Sequence, residues 1–100
     1  MTLVARLADL AQREAPRGAL VAGRADGAVL LALAGDWSLE FWPVWRHGGV
    51  LWRGEERREG RVARMEEGLC EWDCLEWAVR RLRVGVRGDF GRRARGISGE

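Results

Sequence analysis

Between Ala19 and Glu56 the chain is cut into short apolar runs by three Gly-containing pairs, within "RADGA", "AGDW" and "RHGGV". Asp26-Gly27, Gly35-Asp36 and Gly48-Gly49 can take the positive φ angles that two-residue β-turns require, so each reads as a hairpin. The simplest product is a four-stranded antiparallel meander with strands near 19–25, 28–34, 37–46 and 50–56. The turn positions also set register, because a slip of one residue moves a whole strand's side chains to the opposite face. They predict Trp45 opposite Trp52 and Glu40 opposite Arg57 in the third hairpin, with Leu31 opposite Glu40 and Val29 opposite Trp42 in the second.

Helical spacing flanks this block on both sides. In "TLVARLADLAQRE", Leu3, Leu7 and Leu10 fall on one stripe with Arg6, Asp9 and Arg13 away from it, and Thr2 can cap the start. Pro16 followed by Gly18 stops this helix. Residues 55–68 are highly charged, with Val62, Met65 and Leu69 at helical spacing, and read as a short helix or an irregular linker. In "WDCLEW", Asp73 and Glu76 have the spacing of a capping box and Trp72 and Trp77 that of a hydrophobic staple, which predicts a helix from Cys74. Leu75, Val79 and Leu82 form its stripe, Glu76 and Arg80 an i, i+4 pair, and Gly85 its natural stop. The predicted fold is therefore α+β: an N-terminal helix, a four-stranded antiparallel meander and one or two C-terminal helices packed on one sheet face. The domain spans 1–85, and 86–100 reads as a basic, flexible Gly/Arg-rich tail.

With 100 residues the chain buries roughly 65% of its unfolded surface, enough for one core without metal or disulfide staples. No apolar run approaches the ~20 residues of a membrane span, and the charged N-terminus lacks a signal-peptide block, so no membrane is expected and the location is read as cytoplasmic. All seventeen cationic side chains are arginine, and Asn and Tyr are absent as well. Those absences follow A/T-rich codons, so arginine abundance alone does not signal phosphate recognition. Scarce Asn, Gln, Cys and Met also fits a thermophile.

Chemistry is sparse. Cys70, Cys74 and the lone His47 do not make a zinc ligand set, and two reduced thiols are expected. No local motif arms Ser38, Ser98, Thr2 or either cysteine as a nucleophile, and Glu40 is expected in an ion pair with Arg57. Gly-rich phosphate loops are absent. No cofactor, no metal and no enzymatic activity are expected.

Two features suggest partners. Ten Arg against thirteen acids leave residues 1–79 at −3, while seven Arg against Asp89 and Glu100 put residues 80–100 at +5. Arg80, Arg81, Arg83, Arg87, Arg92, Arg93 and Arg95 could hold nucleic-acid phosphates, with the acidic body arguing against it. The other feature is aromatic: strand three carries Trp37, Leu39, Phe41 and Trp45 on one face and Trp42 and Val44 on the other, and "AVLLALA" is apolar on both faces. Strands of that kind belong to a sheet covered on both sides, and the helices suffice for one. Pro43, lacking an N–H, must sit at a bulge or past the end of strand two. A bend there would open a concave surface between Trp42, Trp45 and Trp52. The expected function is a small non-enzymatic interaction module, a homodimer or binder of a protein partner, using Trp42, Trp45, Trp52 and Arg53.

Overall fold

The computed structural model describes residues 2–15 and 18–97, with side chains as far as Gly85. A helix, five strands and a long helix follow in order: α1 (Leu3–Glu14), β1 (Leu20–Gly23), β2 (Val29–Leu33), β3 (Trp37–Arg46), β4 (Gly49–Arg58), β5 (Arg61–Leu69) and α2 (Glu71–Ile97). The strands form one antiparallel sheet in sequence order, and both helices lie on the same face. The α+β class is as the sequence predicts, with five strands in place of four.

The fifth strand occupies the segment read as helix or linker. Glu59 and Gly60 both have positive φ, 53° and 77°, and turn β4 directly into β5. β5 holds an extra residue at each of two register breaks, opposite Trp52–Gly54 and Glu56–Arg57. The bulge opposite Glu56–Arg57 puts Val62 and Met65 on one face although they are three residues apart, which imitates helical spacing.

Register differs from expectation in both central hairpins. The β2–β3 connection is a three-residue loop, Ala34-Gly35-Asp36, so Leu31 lies opposite Leu39 and Val29 opposite Phe41. That shift places Leu31 and Leu39 together under the helices and sends Glu40 to the other face. The β3–β4 hairpin turns at His47-Gly48, pairing Trp45 with Val50 and Pro43 with Trp52. Glu40 is therefore opposite Glu55, and Arg57 reaches it diagonally at 3.6 Å. Pro43 lies beyond the last β2–β3 pair, Val29 with Phe41, where its missing N–H costs no ladder bond.

The core forms where α1 and α2 meet the sheet: Leu3, Leu7 and Leu10 from α1, Val29, Leu31, Leu39 and Phe41 from the strands, Cys74, Trp77, Ala78 and Leu82 from α2. Thr2 caps α1 by accepting the Ala5 N–H, as its position predicts. Trp77 lies edge-on to Phe41 at 5.7 Å, and its ring rests on Gly54, where a Cβ would approach within 2.9 Å. A glycine there lets α2 settle onto β4.

α2 begins earlier than predicted. Cys70 is its cap: Sγ accepts the Asp73 N–H, and Asp73 Oδ2 accepts the Cys70 N–H. This is a capping box with a thiol in the hydroxyl's place, shifted three residues upstream. The residues framing it, Leu69 and Cys74, are both buried, whereas Trp72 is exposed and forms no staple. Gly85 does not end α2, which continues to Ile97; the glycine is buried against the Trp37 ring. The tail's backbone is thus helical from residue 86 to 97, and residues 98–100 lie outside the described residues.

Candidate interaction surface

Strand alternation sorts the side chains of the sheet. On the helix-covered face, a carboxylate sits where an apolar residue is the rule: Glu56 is 1% exposed. Its Oε2 accepts the Trp37 indole N–H at 2.8 Å and lies 3.5 Å from Arg58, and its Oε1 accepts Arg81 Nε at 2.9 Å. Arg58 also stacks on the Trp37 ring at 4.2 Å. Two guanidiniums and an indole satisfy the charge, so the cluster acts as a tie between β3, β4 and α2.

On the opposite face, among the described residues, no helix or loop lies over the sheet. Leu20, Leu30, Trp42, Val44, Leu51, Val62 and Met65 point there, half-buried or exposed. At its centre runs a ladder of alternating charge. Arg53 contacts Glu55 at 3.1 Å, Glu55 contacts Arg57 at 3.0 Å, and Arg57 contacts Glu40 at 3.6 Å. Glu55 is only 6% exposed, because its neighbours shield it. Arg24 lies over the Trp42 ring at 4.9 Å, and the buried Trp42 N–H has no acceptor among the described residues.

The four residues expected to act together are divided between faces. Trp42 and Arg53 are direct cross-strand partners on the open face. Trp52 is on the helix side, half-buried against the core. Trp45 shares its parity but lies beyond the helices at the hairpin tip, 78% exposed beside Arg46 and His47. No concave surface joins the three tryptophans, because Trp42 points the other way. Sequence reasoning paired Arg57 with Glu40, as found, but passed over Glu55 and Leu51, although the period-two series Arg53, Glu55, Arg57 was the available signal.

The seven arginines of the alternative reading also separate. Arg81 is bound to Glu56, and Arg83 donates two hydrogen bonds to Glu14 at 2.9 and 3.2 Å. Arg80 is exposed, and Arg87, Arg92, Arg93 and Arg95 lie on the helical continuation of α2. Cys70 is exposed and Cys74 buried, both reduced, with burial pushing the Cys74 thiol up to about 12. Among the described residues no His, Cys, Asp and Glu group is arranged to hold a metal, and no helix is long and apolar enough to cross a membrane.

The chain matches no protein-family model, no curated protein and no solved structure.

Proposed function

We propose that this protein is a small non-enzymatic interaction module that self-associates through the open face of its sheet. The observation that carries the reading is a five-stranded sheet bearing Leu30, Trp42, Val44 and Leu51 on a face that no described element covers. Two details favour a second copy as the cover. The Arg53–Glu55–Arg57–Glu40 ladder alternates in sign, so a two-fold axis can set arginine on glutamate across the interface. The Trp42 N–H, which lacks an acceptor among the described residues, would find one there.

Light scattering on the purified protein tests this. A mass of two chains is expected at micromolar concentration, and a mass near 11.2 kDa refutes the reading. Trp42→Arg is expected to give monomers of unchanged far-ultraviolet dichroism, while Trp45→Ala, at the hairpin tip, leaves the dimer intact. The nucleic-acid alternative has weaker support, since Arg81 and Arg83 are already engaged within the chain.

A further inference from the structure

On the other side of the molecule, α1 and α2 enclose a groove that the sheet-face reading does not use. Arg6 of α1 pairs with Glu71 of α2 at 3.5 Å, and Glu14 of α1 accepts Arg83 of α2 at 2.9 Å. Residue numbers rise together along both helices, so the two run in the same direction and are clasped at each end. Between the clasps the helices pack on one another, and a depression runs along their solvent side. It measures about 640 Å³ and is mostly apolar, floored by Leu10, Leu75 and Val79 and walled at one end by Trp72, which is 63% exposed.

The charges on the rim are unequal. Arg13 lies 3.7 Å from Asp9, Arg6 is held by Glu71, and Glu76 accepts the Trp72 indole N–H at 3.0 Å. Arg80, also on the rim, has no carboxylate within ion-pair distance among the described residues. The groove thus offers an apolar floor and, among the described residues, one cation without a carboxylate partner.

We infer that this groove binds a single-chain amphiphilic carboxylate, its hydrocarbon part on Leu10, Leu75 and Val79 and its carboxylate on Arg80. The volume falls within the roughly 300–1,000 Å³ of small-molecule sites, and the polar groups are few and placed at the margin, as in such sites. The ion pairs at both ends disfavour a through-running peptide helix, which would have to displace them. Charge selects the head group: a cationic amphiphile would meet Arg80 as a like charge.

Dodecanoate below its micelle concentration is the probe, with dodecanol and dodecyltrimethylammonium as neutral and cationic counterparts, followed by calorimetry and tryptophan emission. The expected result is saturable binding of one dodecanoate per chain, weaker binding of dodecanol and none of the ammonium compound. Arg80→Gln, an exposed substitution, should weaken dodecanoate by about tenfold, the worth of one charge-assisted hydrogen bond. Trp72→Phe should abolish the emission change while calorimetric binding persists. The inference is overturned by non-saturating uptake, by equal binding of the ammonium compound, by unchanged affinity in Arg80→Gln, or by an emission change that survives Trp72→Phe. Because the groove and the open sheet face lie on opposite sides, a monomeric protein would leave this inference standing.

Discussion

Replacing Gly85 with alanine sets two known magnitudes against each other. In a helix interior the change should stabilise by about 1 kcal/mol, because alanine restricts the unfolded chain and glycine does not. Here the new Cβ would lie 2.3 Å from Trp37 Cη2 and 2.5 Å from Cζ2, far inside van der Waals contact. The ring cannot swing aside cheaply. Its N–H is bound to Glu56 at 2.8 Å, and Arg58 is stacked on it. Overpacking a filled core costs about 1–3 kcal/mol, and a contact this short belongs at the upper end of that range. The net expectation is destabilisation by about 1–2 kcal/mol, a fall in Tm of roughly 5–15 °C for a domain of this size. Urea denaturation followed by far-ultraviolet dichroism measures it. In a Trp37→Leu background only the movable end of Arg58, 2.9 Å from the new Cβ, remains in the way, and the same Gly85→Ala change should stabilise by about 1 kcal/mol, a sign reversal that a double-mutant cycle isolates. If Gly85→Ala stabilises the otherwise unaltered protein, the packing of α2 against Trp37 is not what holds the glycine there.

Three further outcomes follow from local chemistry. Glu59 takes a φ of 53° without glycine's freedom, so Glu59→Asn should raise stability by about 0.5–1 kcal/mol, read as an increase in Tm. The hydrogen bond from Arg83 holds the Glu14 carboxyl below its ordinary value of 4.5, so the clasp contributes fully above that value and is lost as pH falls through the lowered one. Urea titrations should therefore show Arg83→Gln less stable than the parent at pH 7 and equal to it once Glu14 is protonated in both; a difference independent of pH contradicts the assignment. With Cys70 exposed and the buried Cys74 thiol pushed up to about 12, an aromatic disulfide reagent at mildly alkaline pH should modify one thiol per native chain, and the second only after denaturant is added.

Local signals in the sequence were reliable where one side chain settles the matter. Thr2 capping α1 and the leucine stripe behind it are of that kind. Turn positions were legible from glycine, but turn lengths were not, since Gly35-Asp36 serves a two-residue or a three-residue loop equally well. The longer loop moves Glu40 from the side of Leu31 to the open face, which no local preference foretells. β5 was hidden by its own bulge: the extra residue opposite Glu56–Arg57 put Val62 and Met65 out of period two, and Glu59 disguised the turn before it. At Cys70 a thiol does the work of a hydroxyl, and a reading tuned to Asp, Ser and Thr chose Asp73 instead. Gly85 shows the same limit from the other side. A glycine that ends a helix and one that admits a neighbouring ring are identical in sequence, and only the position of Trp37 distinguishes them. For the candidate surface, the two-sided apolar character of β2 and β3 and the parity that divides Trp42 from Trp45 were evident, while how far the helices reach along the covered face was not, and that decides why Trp52 is half-buried and Trp45 exposed.

The clasp between Glu14 and Arg83 joins residues 69 positions apart, whereas the strands are linked only to their sequence neighbours. Folding therefore separates into fast, local hairpin closure and a slow step of high contact order, in which α1 must find α2 across the finished sheet. Until then Leu31, Leu39 and Phe41 face solvent, and the half-built meander is the species most exposed to aggregation and to chaperones.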